Sequence, residues 1–281
     1  MITIVAGITV ASCTTYTGVT EFEGYRAAFD KNYEVASSVL DRFGVEERAL
    51  YLSVRPPLKG VFDPGLASYY VDYVDPPTAA AFRRSLDMVK AYNDLLYSLS
   101  VGEPAANVAA RLGRLDFFDA RGKGDIEQLR SALPKELNVE LAATVGRLIT
   151  IIAPIEKVLA VTLKYENRAK FREFAIQHEA VIKEVLLNLR GASKQIYAVL
   201  VRKEADKFSG IDERKISLYR QLISDFVIGL DEVTASMDEM MAAIRMNSKL
   251  SANQAAALNA RAARLDAIAA NARRHISEIG N

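Results

Sequence analysis

"ISLYRQLISDFVIGLDEVTASMDEMMAAI", residues 216–244, is the stretch whose reading decides the fold. Ile216, Tyr219, Ile223, Phe226, Leu230, Val233, Met237, Met240 and Ile244 follow one another in alternating steps of three and four. That spacing places them along one stripe of an α-helix. An unbroken seam of this length predicts a helix of about 50 Å packed lengthwise on a partner, in the manner of a coiled coil.

Working outward, "SGIDE" at 209–213 reads as the turn that precedes this helix. Beyond it, Ser251-Ala252-Asn253-Gln254 has the spacing of a capping box and opens a last helix from about Ala252 to Ile279. Leu258, Leu265, Ile268, Ala272, His275 and Ile279 form its seam, and its many alanines would let a neighbouring backbone approach closely. Upstream, Phe171, Ala175, His178, Ile182, Val185, Leu189, Ala192, Ile196 and Val199 make a second long stripe, and Leu141 to Leu159 a third. These two are expected to be nearly continuous, with a kink at Pro154, which removes an N–H from the helical ladder.

Nearer the start, Phe22, Tyr25, Phe29, Ala36, Leu40 and Phe43 mark a first helix that Thr20 is expected to cap and Gly44 to end. Phe82, Leu86, Val89, Leu96 and Leu99 mark another, closed by Gly102. A shorter helix is expected from Glu103 to about Arg121, with a turn at "RGKGD" and a start or break at Pro134. Between the first two helices, residues 45–77 lose the period and hold five of the eight prolines together with Tyr51, Phe62, Tyr69, Tyr70 and Tyr73. The expected architecture is all-α: an elongated antiparallel helical bundle, residues 20–281, with coiled-coil-like seams and one irregular Pro/Tyr-rich insertion at 45–77.

Composition narrows the function. The chain is 50% hydrophobic over 281 residues, enough for a substantial core. Its 36 Lys and Arg nearly balance 35 Asp and Glu, so no net field holds nucleic acid. One cysteine excludes an intramolecular disulfide and a thiolate metal cluster. The longest apolar run of the body, "LITIIAPIEKVLAVTL" at 148–163, is shorter than the roughly 20 residues of a membrane helix and carries Glu156 and Lys157. It reads as core.

The first thirteen residues, "MITIVAGITVASC", end on that lone Cys13 after an uncharged apolar run. Val10-Ala11-Ser12-Cys13 resembles the lipobox of bacterial lipoproteins, an aliphatic residue and two small residues before an acylated cysteine. The resemblance implies a signal-like segment at 1–12, lipidation of Cys13 and a tether at 13–19. No Lys or Arg precedes Ile2, so either the start lies upstream of Met1 or the signal departs from the usual form. The alternative is a first β-strand with a buried thiol, but no other segment offers that strand a partner. Thr14 rather than Asp after Cys13 implies, by the same resemblance, the outer membrane of a Gram-negative bacterium.

Catalytic patterns fail one by one. In "QHEAVIKE" the second ligand position of a His-Glu-x-x-His zinc helix is Ile182, and Ala175 stands where a di-iron bundle needs Glu. His178 and His275 both fall on apolar seams, where an interior histidine fixing register is expected and a pH switch is the alternative. The pairs Asp231-Glu232 and Asp238-Glu239 lie off the 216–244 seam and read as solvated faces, and Arg261, Arg264, Arg273 and Arg274 as a basic side of the last helix. No enzyme, cofactor, metal or small-molecule substrate is expected. Tyr51, Phe62, Tyr69, Tyr70 and Tyr73 instead have the composition of a protein-recognition surface, or of a lid over the bundle end. The overall expectation is a non-catalytic, lipid-anchored envelope protein that binds a partner, similar to helical lipoproteins of Gram-negative bacteria. The alternative is an α-helical pore-forming toxin of the cytolysin A type, with 148–163 as its membrane element.

Overall fold

The computed structural model describes residues 18–54, 62–103, 143–144, 146–147, 169–205, 212–246 and 251–280. Outside them lie Cys13 and the signal-like segment, the helix expected after Glu103, "RGKGD", Pro134, the Leu141–Leu159 stripe with Pro154, the 148–163 run and most of the 209–213 turn. Among the described residues the long elements are α1 (Val19–Val54), α3 (Pro77–Val101), α4 (Ala169–Gly191), α5 (Ser193–Ala205), α6 (Glu213–Met246) and α7 (Ala252–Gly280), with a single 3-10 turn (Pro64–Leu66) and α2 (Ala67–Tyr70) between α1 and α3. No strand occurs among them, and the chain is an all-α bundle.

The seam of α6 is the centre of the core. Tyr219, Ile223, Phe226, Leu230, Val233, Met237, Met240 and Ile244 are buried, and Ile216, near the helix start, is half-buried. Helix directions follow from the pairs across each interface. Arg26–Asp94, Lys90–Asp30 and Arg83–Asp41 run α3 antiparallel to α1. Arg42 on Tyr219 and Gly229 against Asn32 run α6 antiparallel to α1. Lys183–Asp238 and Arg190–Asp231 do the same for α4 and α6. α3 packs on α4 through Tyr92, whose hydroxyl donates to Phe174 O at 3.1 Å, and α1 meets the start of α4 through Phe22 and Phe171, 5.4 Å apart and edge-on. The ring α1, α3, α4–α5, α6 is therefore an up-down-up-down bundle, and α7 lies outside it in the groove between α1 and α6.

Local chemistry explains most boundaries. Gly102 adopts φ 72° and its N–H reaches Leu99 O and Ser98 O, stopping α3 as expected. Ser251 and Gln254 form the expected capping box, with Ser251 N–H donating to Gln254 Oε1 at 3.0 Å and Gln254 N–H to Ser251 Oγ at 3.3 Å. α4 and α5 are separated at Ala192 alone, and the bonds Ala192 N–H to Asn188 O and Ile196 N–H to Ala192 O carry the ladder across. The Phe171–Val199 stripe is buried throughout.

Two expectations are corrected. Gly44 does not end α1, which runs on to Val54. The left-handed backbone that stops a helix is absent there, since Gly18 and Gly102 are the positive-φ glycines among the described residues. Gly44 is small for another reason: a Cβ would meet Ala79 Cβ and Pro76 Cδ, both at 3.4 Å, where the chain enters α3. Residues 45–54 of the expected irregular stretch are therefore helical. Thr20 lies inside the first turn of α1 rather than at its cap, and Gly18, at φ 97°, accepts the Phe22 N–H on its carbonyl.

Candidate functional site

The end of the bundle where α1 finishes and α3 begins carries the insertion, and buried charge fastens it there. α3 starts Pro76-Pro77, so its cap position has no side chain able to accept the free N–H groups of the first turn. Glu47, reaching across from α1, supplies that function. It accepts from Ala79 N–H at 3.0 Å, Thr78 N–H at 3.2 Å, Thr78 Oγ1 at 2.8 Å and the Tyr69 hydroxyl at 3.3 Å. Glu47 is fully buried, and that burial pushes its carboxyl up to about 7, while the Thr78, Ala79 and Tyr69 donors oppose the rise. One turn away, Arg42 bridges Glu46 at 2.6 Å and the Tyr219 hydroxyl at 2.7 Å.

The rest of the insertion is tied down by short links. Arg48 donates to Val74 O at 2.5 Å, and Arg83 joins Asp75 and Asp41 at 2.5 and 2.6 Å. Asp63 Oδ1 accepts from Gly65 N–H and starts the 3-10 turn. Tyr51 and Tyr69 are buried and stacked, with ring centroids 4.0 Å apart and planes within 22°.

Of the aromatic residues singled out in the sequence, Tyr51 and Tyr69 are thus spent on holding the insertion. Tyr70 is half-buried, with Phe62 5.7 Å from it, while Phe62 is 67% and Tyr73 83% exposed. Beside Tyr73 the insertion and α3 enclose a cavity of about 540 Å³, lined by Pro64, Ser68, Val71, Val74 and Arg84 among others. An exposed aromatic pair beside a concave, mixed apolar and polar surface can take up a side chain of another protein.

The remaining candidates have structural partners. His178 is buried, with Nδ1 2.9 Å from Phe174 O, and desolvation lowers its pKa from the ordinary histidine value. His275 is buried with Nδ1 3.1 Å from Asp225 Oδ2, which ties α7 to α6. Burial raises the Asp225 carboxyl, with the His275 charge opposing. Of the acidic pairs of α6, Asp231 and Asp238 are exposed as expected, whereas Glu232 and Glu239 are corrected from a solvated face to the α7 interface. Glu232 is buried, taking Arg261 at 2.8 Å and Arg264 at 2.7 Å, and Glu239 takes Arg261 at 3.3 Å. Arg261 and Arg264 are therefore committed to α6, whereas Arg273 reaches Glu34 of α1 at 3.5 Å and Arg274 donates to Asn271 of its own helix. The described residues contain no group of three or more His, Cys, Asp or Glu placed to hold a metal ion, and no described helix is long and apolar enough to cross a membrane.

Comparison with family models, with curated proteins and with solved structures finds no match to this chain. The site stands on its own geometry.

Proposed function

We propose that this is a non-catalytic, lipid-anchored cell-envelope protein whose bundle holds a protein-binding insertion away from the membrane. Acylated Cys13 would attach it to the periplasmic face of the outer membrane of a Gram-negative bacterium, and the insertion would meet a protein partner. The observation that supports the reading is that Gly18, the described residue nearest Cys13, lies beside Ile244, whereas the insertion sits at the far end of the 36-residue α1. At 1.5 Å per residue those ends are about 54 Å apart. An anchor at one end and exposed Phe62 and Tyr73 at the other is the arrangement a spacer needs.

The test is to express the chain behind a complete signal in a Gram-negative host and feed it labelled palmitate. Label in the protein and detergent partitioning, both lost in Cys13→Ala, are expected. A mature protein that retains an unmodified Met1 refutes the anchor. For the partner, in-cell crosslinking should yield one envelope protein that disappears with Phe62→Ser/Tyr73→Ser at unchanged melting temperature.

One feature supports the pore-forming reading as a second possibility. Val101 and Ala169, which border the segment containing 148–163, lie at the same end of the bundle as Gly18. Glu156 and Lys157 count against it, each costing a few kcal/mol in hydrocarbon unless paired. Dye release from liposomes by nanomolar protein would establish that reading over the first.

A further inference from the structure

The interface between α4–α5 and α6 is laced by cross-helix ion pairs. Arg245 binds Glu179, Lys183 binds Asp238 at 2.6 Å, and Arg190 binds Asp231 at 2.6 Å. The next rung breaks the series. Lys194, at the start of α5, faces α6 where the sequence offers Ser224, Val227 and Ile228 instead of an acid. Arg220, a turn further along α6, is likewise without a carboxylate partner among the described residues. Asp231 is held by Arg190, and Asp225 is turned to His275 on the α7 side. Ser224 turns its hydroxyl back to Arg220 O at 2.8 Å.

What lies between the two cations is apolar. Ile223, Val227 and Ile228 from α6 and the Tyr197 ring from α5 form a trough of about 370 Å³, within the roughly 300–1,000 Å³ of small-molecule sites. Ile228 is 45% exposed, although the seam residues beside it are buried. Ile228 is the solvated part of this trough, and the two rim cations, without a carboxylate partner among the described residues, specify the charge of a ligand that would cover it.

We propose that this trough binds a single-chain anionic amphiphile, a medium-chain fatty acid, with its chain along Val227 and Ile228 and its carboxylate held by one of the two rim cations, Lys194 or Arg220. The site is independent of the anchor at Cys13 and of the insertion. A carboxylate gains a charge-assisted hydrogen bond from one cation and the attraction of the other, and Tyr197 belongs to the same lining. A cationic or neutral chain of equal length gains the apolar contact alone.

The experiment is displacement of a dansylated undecanoate from the full chain by laurate, methyl laurate and dodecylammonium, all below micellar concentration. Laurate should bind saturably at one equivalent and at least tenfold more tightly than dodecylammonium. Lys194→Ala/Arg220→Ala should weaken laurate by tenfold or more and leave methyl laurate unchanged. Ile228→Asp should abolish binding of laurate and of methyl laurate. These side chains are at the surface, so helicity and melting temperature should not move, and each variant is checked for that. Equal binding of laurate and dodecylammonium, indifference to the double substitution, or binding at micellar concentration alone would overturn the site. So would uptake of an acidic amphipathic peptide with no uptake of laurate, which would assign the trough to a protein.

Discussion

Gly229→Ala should destabilise the bundle, against what the helix itself prefers. Gly229 lies inside α6, where alanine is favoured over glycine by about 1 kcal/mol on intrinsic propensity. Its neighbour across the interface is Asn32 of α1, 1% exposed, and a Cβ at 229 overlaps Asn32 Oδ1 and comes within 3.2 Å of its Cγ. Overpacking of this kind costs about 1–3 kcal/mol, so the substitution should be neutral to unfavourable by about 2 kcal/mol in urea unfolding followed by circular dichroism. The Asn32 carboxamide has no hydrogen-bond partner among the described residues, and a buried unsatisfied amide is itself costly, by about 1–3 kcal/mol. Asn32→Ala/Gly229→Ala therefore removes the clash and the orphaned amide, and gains the propensity. The double variant should equal or exceed the parent in stability while Gly229→Ala alone does not exceed it, a coupling of about 1–3 kcal/mol for residues in contact. Additive effects, or a stabilising Gly229→Ala alone, would mean that α1 and α6 do not pack in this register.

Other outcomes follow from individual contacts. Tyr69→Ser should cost about 3 kcal/mol or more in thermal unfolding because it empties the stack on Tyr51 and takes a donor from Glu47, whereas Tyr73→Ser, on an exposed ring, should stay within about 0.5 kcal/mol. Glu232→Ala should cost about 1–2 kcal/mol, reduced from the buried-pair range because Arg261 and Arg264 remain 26% and 59% exposed and are rehydrated when the carboxylate goes; a change under 0.5 kcal/mol would return Glu232 to a solvated face. The Glu47 carboxyl, raised to about 7 by the fold, contributes stability that is fully present below its ordinary value and is lost as pH rises through about 7. Stability should accordingly fall between about pH 5 and about pH 8, and Glu47→Gln should flatten that part of the profile.

The parts of the fold that were legible in the sequence are those determined within one helix. The 216–244 seam, the Ser251–Gln254 box and the Gly102 stop each depend on residues a few positions apart, and each is found where periodicity or capping chemistry puts it. What was not legible depends on a second element. A glycine reads as a helix stop when its φ is positive, but Gly44 is helical and owes its size to Ala79 and Pro76 of a later segment. Glu232 is off the seam of α6, yet among the described residues α6 packs on α1, α4, α5 and α7 rather than on one partner, and α7 covers the face that carries it. Tyr69 and Tyr73 are alike in composition and four residues apart, and their opposite fates follow from Glu47, which pulls the first inward. No local pattern announces a carboxylate that caps another helix from across the bundle.

The distribution of unspent surface argues for where this molecule acts. α6 meets α1 through its apolar seam, α4 through Asp231 and Asp238, and α7 through Asp225 and Glu232, so nearly every face of its C-terminal half is committed. Arg220, Val227 and Ile228 mark the stretch where its cross-helix ion pairs run out among the described residues, within about 25 Å of the helix start at Glu213 at 1.5 Å per residue. The insertion, with Phe62 and Tyr73 exposed, is mounted on that same half, since α1 ends and α3 begins there. The half near Gly18 is instead closed by Glu179–Arg245, Lys183–Asp238 and the Glu232 cluster. The proposed binding at the far half and the proposed attachment at the near one would then require no element to serve both purposes. A change such as Ile228→Asp should leave partner capture intact, and Phe62→Ser/Tyr73→Ser should leave laurate binding intact; loss of both functions in either variant would mean that the two surfaces are one site.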